Sequence, residues 1–131
     1  LVALTALVTQ CMQPLREHFG RSIRCNSAWR SPLVSEAVGS SSRSQHCRGE
    51  AMDWEIVGID NKELAQQVPK ILSEWDQMIL EMYDESEKNP EIRMETGWIH
   101  LSYNRIGENR KQILRAFRKG KKIVYEPWDL S

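Results

Sequence analysis

Residues 44–57 read Ser-Gln-His-Cys-Arg-Gly-Glu-Ala-Met-Asp-Trp-Glu-Ile-Val, a polar loop that leads directly into an alternating segment. In the second half of this stretch Met52, Trp54 and Ile56 share one side of an extended chain, and Asp53 lies on the other side. A period of two is typical of a strand that buries one face. The stretch therefore predicts a strand with a carboxylate on its less apolar face.

A second stretch, Trp98-Ile99-His100-Leu101-Ser102-Tyr103, has the same pattern. His100 lies on the face opposite Ile99 and Leu101. With His46, Asp53 and His100 the sequence offers two imidazoles and one carboxylate, the three-ligand set that catalytic zinc prefers. Taken alone, a surface histidine in the polar loop and a satisfied buried carboxylate in the strand are the alternatives. Zinc in such a site lowers the pKa of a water to about 7 and polarises a carbonyl. Gly49 lets the backbone bend so that His46 and Asp53 can reach one ion.

The rest of the chain predicts a single α+β domain. Its strands are expected at residues 23–29, 51–57, 75–82 and 98–103, and its helices at residues 1–19, 61–74 and 108–119, with a polar insertion at 83–96. We expect a small antiparallel sheet with flanking helices and the candidate zinc site on one sheet face.

Composition excludes several classes of protein. The 131 residues carry 18 basic and 18 acidic side chains, so the net charge of zero argues against nucleic-acid binding and against an electrostatic membrane anchor. Three cysteines without a Cys-x-x-Cys pair indicate reduced thiols. The apolar residues 1–8 lack a basic flank and a cleavage site, so we expect no signal peptide, although an opening leucine is typical of a trimmed chain.

The pattern Ser-x-His-x-x-Gly-x-Ala-x-Asp at residues 44–53, followed by Trp-x-His-x-Ser at 98–102, resembles the zinc D-alanyl-D-alanine peptidases of the M15 family, particularly its small phage and bacterial members. Matching segments at 13–20, 26–32 and 75–81 extend the resemblance over roughly residues 10–118. Carried over residue by residue, the resemblance implies zinc held by His46, Asp53 and His100.

The resemblance also implies substrate contacts. Arg30 corresponds to an arginine that is expected to bind the substrate carboxylate or the developing oxyanion, a role suited to a planar guanidinium. A surface salt bridge is the alternative for Arg30. Ser44 and Gln45 correspond to loop positions that support the metal site or contact the substrate, with a loop-stabilising turn as the alternative.

Two glutamates are candidates for the general base. Some relatives carry an acidic residue three positions before the last histidine, where this chain has Gly97. In the small phage-like members, and in the related hedgehog signalling domain, a glutamate instead ends the preceding strand, and Glu81 corresponds to it. Glu95 lies at the mouth of the insertion, where a base is poorly positioned, so we predict Glu81.

The resemblance implies a monomeric zinc peptidase that cleaves peptidoglycan stem or cross-bridge peptides at D-alanine-containing bonds. Carboxypeptidase and endolysin-type endopeptidase activities, and D,D and L,D bonds, all remain open. The alternative is a non-enzymatic virion or structural protein that keeps the fold and the zinc site. Without a signal peptide, we expect synthesis in the cytoplasm and action on the cell wall after release or as part of a phage particle.

Overall fold

The computed structural model describes residues 2–27 and 50–131. The elements in chain order are α1 (Val2–Leu7), a π-helical turn (Val8–Met12), α2 (Gln13–Phe19), β1 (Arg24–Ser27), β2 (Ala51–Glu55), α3 (Asn61–Ile71), β3 (Gln77–Glu81), α4 (Pro90–Arg93), β4 (Trp98–Ser102), β5 (Gln112–Lys119) and β6 (Lys122–Pro127). This mixture of helices and one sheet confirms the α+β class.

The strands of the described residues form one sheet in the order β1-β2-β4-β3-β5-β6. All neighbouring strands are antiparallel except β3 and β5, which run parallel. β4 therefore lies between β2 and β3, with Asp53 directly opposite His100 on one side and Ile79 opposite His100 on the other. This order brings together three strands that the sequence separates by a helix and an insertion.

One face of the sheet is covered by the helices. Leu7 and Leu15 of the N-terminal helices and Leu64 of α3 are fully buried in the same core cluster as Trp54 and Leu101 of the sheet. Burying a side chain of this size contributes roughly 1.5–3 kcal/mol. Asp53 and His100 alternate with these core residues, so they lie on the opposite face, as the strand parity predicts.

The N-terminal helix follows the prediction for residues 1–19, with an interruption. Proline has no N–H and its ring clashes with the carbonyl four residues earlier, so a helix with Pro14 inside it must widen or bend. Here the turn at Val8–Met12 becomes π-helical immediately before α2. Gly20, at φ 63°, ends α2. Neither this helix nor any other in the described ranges has the length and hydropathy needed to cross a bilayer.

The predicted helix at residues 108–119 is wrong. Residues Gln112–Lys119 form strand β5, which pairs with β3 on one side and β6 on the other. The apolar residues at 113, 114, 116 and 117 fit a helical period as well as a strand. The strand forms because the edge of β3 supplies hydrogen-bond partners for its backbone. Gly120, with a φ of 64°, allows the tight β5–β6 turn.

Candidate metal centre

Three side chains meet on the face of the sheet opposite the helix-packed core. Asp53 and His100 are cross-strand neighbours, with 3.2 Å between Oδ1 of Asp53 and Nδ1 of His100. Glu81 ends β3 and is one diagonal step from His100, because Ile79 is the residue opposite His100. One ligand atom from each of the three side chains lies within 4.8 Å of the others.

This donor set fits a metal ion. Zinc takes imidazole nitrogen and carboxylate oxygen at about 2.0–2.2 Å, and two ligands of a tetrahedral ion are then about 3.3 Å apart. The 3.2 Å between Asp53 and His100 matches that separation. His100 is 8% exposed and Asp53 is half-buried. Both side chains are therefore positioned by the strands of the sheet and by the packing around them.

The structure brings together part of the predicted site. Asp53, His100 and Glu81 converge, whereas Glu95 is exposed and lies outside this group. The predicted residues Arg30, Ser44, Gln45 and His46, and the neighbouring Cys47, lie outside the described residues.

Trp98 orients the carboxylate of Glu81. The two residues are directly opposite in the β3–β4 pair, and the indole Nε1 of Trp98 donates a hydrogen bond of 2.8 Å to Oε2 of Glu81. The sequence pattern contained this tryptophan but gave no reason for it. Its indole holds one carboxylate oxygen, so the side chain of Glu81 leans over the site in a defined orientation.

Gly97 shows why the base cannot come from three positions before His100. Its φ is 70°, and an added Cβ would lie 2.3 Å from the carbonyl oxygen of Glu81 and 2.7 Å from the nitrogen of Tyr83. The buried Asn61 donates to the carbonyls of Thr96 (3.0 Å) and Gly97 (3.1 Å), which fixes this backbone in place. No side chain fits at position 97, and its absence allows the end of β3 to approach.

We expect Gly97→Ala to destabilise the protein by at least about 2 kcal/mol, since the new Cβ must overcome both the left-handed backbone and the contact with Glu81. Urea denaturation measures this. Gly120→Ala is the matched control, because Gly120 has a similar φ of 64° and no atom within 4 Å of an added Cβ. That variant should lose only about 1 kcal/mol. Equal losses in the two variants would contradict the close approach at Gly97.

Two further residues hold β3 against β4, and sequence reasoning gave them no role. The hydroxyl of Ser102 accepts a hydrogen bond of 3.0 Å from the nitrogen of Gln77, and the nitrogen of Asp76 donates to the carbonyl of Ser102 at 2.8 Å. The carboxylate of Asp76 accepts from Nε and Nη2 of Arg110 at 3.0 and 2.9 Å. Paired donors of this kind fix geometry well, so β3 keeps its register and Glu81 keeps its place beside His100.

Comparison with known proteins agrees with this arrangement. Searches of curated proteins and of solved structures gave no match. The model of the family described as Peptidase M15 matches residues 2–102, which include α1 to β4 and all three converging side chains. The chain therefore belongs to the peptidase M15 family of metal-dependent peptidases.

Proposed function

We propose that this protein is a zinc peptidase that hydrolyses peptidoglycan stem or cross-bridge peptides at D-alanine-containing bonds. The observation that supports this most is the convergence of Asp53, His100 and Glu81 on the sheet face opposite the helical core. Two of these residues are ligands in the predicted zinc set, and the third is the predicted base. Family membership supports the peptidase chemistry, and the substrate is our inference from the resemblance.

In this proposal His46, Asp53 and His100 hold the zinc. When bound, the ion supplies Lewis acidity, which lowers the pKa of a water and polarises a carbonyl. Asp53 contributes negative charge and His100 a neutral nitrogen, a combination that leaves part of the charge of a divalent ion uncompensated. That remaining charge is what favours an electron-rich peptide carbonyl at the site.

Glu81 acts as the general base and then as the general acid. Its carboxylate takes a proton from the attacking water and gives it to the leaving amine. The hydrogen bond from Trp98 restricts Glu81 to orientations that face His100, and such pre-positioning accounts for much of the efficiency of a base. Arg30 is proposed to bind the substrate carboxylate or the oxyanion, with Ser44 and Gln45 beside the substrate.

The test is a digest of purified peptidoglycan by the zinc-loaded protein, with the soluble products identified by mass. We expect free D-alanine or separated cross-bridges, and no such products after treatment with a chelator or with the Glu81→Gln variant. Intact peptidoglycan after digestion with protein that has been shown to contain zinc would favour the non-enzymatic virion or structural alternative. The products also distinguish an exopeptidase from an endopeptidase.

A further inference from the structure

The β5–β6 hairpin extends the sheet face that carries the site. Ala116 pairs with Glu81 on one side and with Tyr125 on the other, so Tyr125 projects from the same sheet face as the three converging residues. Ala116 has no side chain beyond Cβ, and the tyrosine ring can therefore lean across it towards Glu81. Tyr125 is 53% exposed and can be reached by a ligand.

Electrostatics agree with this position. Burial, and then the negative charges of Glu81 and Asp53, raise the pKa of Tyr125. This direction agrees with the strand register, which places Tyr125 in the same row of the sheet as Glu81, two strands away. A tyrosine at neutral pH is protonated even at its ordinary pKa of about 10, so the hydroxyl of Tyr125 can donate a hydrogen bond to a ligand on this face.

Arg118 lies on the same face, two residues beyond Ala116 and opposite the exposed Ile123. Among the residues that the structure describes, Arg118 makes no ion pair. Arg115 of the same strand, on the opposite face, lies 3.8 Å from Glu85 and 3.9 Å from Glu126. Arg115 is thus paired with two acidic neighbours, whereas Arg118 on the site face is available to an anion.

We propose that Tyr125 and Arg118 form a substrate subsite for a peptide that carries a free carboxylate, an inference that rests on the proposed peptidase function. The hydroxyl of Tyr125 donates to the carbonyl oxygen at the scissile bond, and Arg118 pairs with a side-chain carboxylate of the same peptide. Tyr125 lies beside Ala116, and Ala116 and Arg118 are about 7 Å apart along β5. This distance is the span of about two residues of an extended peptide. The hairpin lies after residue 102, outside the residues that the family model matches.

The subsite is tested with two phosphinate analogues of a stem peptide, which are not hydrolysed and which keep an acceptor oxygen. They differ only in whether the isoglutamyl carboxylate is free or amidated. Calorimetry with the zinc-loaded protein should show about fivefold tighter binding of the free carboxylate at low salt, a preference that decreases as salt is added. Arg118→Gln should abolish this preference, whereas Lys119→Gln, an exposed cation on the other side of the hairpin, should keep it.

Tyr125→Phe should weaken both analogues equally, by about threefold to tenfold, with zinc content and melting temperature unchanged. Equal affinity of the wild type for the two analogues, or a preference that survives Arg118→Gln, would overturn the carboxylate subsite, and unchanged binding by Tyr125→Phe would overturn the role of the hydroxyl. In each of those cases the proposed peptidase function still stands, because the analogues bind. If neither analogue binds the zinc-loaded wild type, the proposed function fails and the subsite fails with it.

Discussion

Replacing His100 by alanine is expected to remove the bound metal and with it all measurable hydrolysis. The imidazole of His100 is buried, and its Nδ1 lies 3.2 Å from Oδ1 of Asp53. Within the described ranges, His100 is the one histidine in the converging group. A site that has lost one of three protein ligands binds zinc far more weakly. Metal content by elemental analysis, measured beside hydrolysis, checks this.

The matched control is His18→Ala. His18 is exposed near the end of α2, away from the sheet face that carries the site, and its loss should change neither metal content nor rate. His46→Ala should behave like His100→Ala, and Cys47→Ser should keep its metal. Full zinc occupancy in a folded His100→Ala variant, or loss of zinc from Cys47→Ser, would show that the ligand set is different.

Glu81→Gln is expected to reduce turnover by about 100-fold or more while zinc stays bound. The amide oxygen of glutamine can still accept the hydrogen bond from Nε1 of Trp98, so the variant should fold with its side chain in place. Only the ability to take and release a proton is lost. Steady-state kinetics together with metal analysis separates this effect from loss of the ion.

Glu95→Gln serves as the control for this substitution. Glu95 is exposed and does not belong to the group formed by Asp53, Glu81 and His100, so its variant should remain near the wild-type rate. The opposite result, a slow Glu95→Gln and an active Glu81→Gln, would move the base into the segment between β3 and β4 and contradict the proposed mechanism.

The strands that carry the site could be predicted because they are regular. Alternation in residues 51–57 and 98–103 assigned Asp53 and His100 to the less apolar face of each strand, and the structure pairs these two residues across neighbouring strands. The sequence of a strand does not specify which other strand it pairs with. That β4 lies between β2 and β3, and so places Glu81 next to His100, depends on the packing of the whole sheet.

The hairpin could not be predicted from its own residues, because a segment with apolar residues at 113, 114, 116 and 117 fits two periods. The free edge of β3 resolves this ambiguity, and it exists only in the folded chain. Misassignment of β5 as a helix also concealed Tyr125 and Arg118, whose place on the site face follows from the strand register alone.

The pairing of β2 with β4 joins Asp53 to a residue 47 positions later in the chain. Contacts between such distant positions form late, since the entropy of closing the loop must be lost before the contact gives any stabilisation. We therefore expect the two side chains to meet late in folding, after the residues of α3 and β3 that separate them in the sequence have folded. In a chain that is still folding, or that has opened locally at β2, the hydrolytic centre does not exist, and the appearance of activity during refolding should coincide with closure of the sheet and follow the formation of the helices.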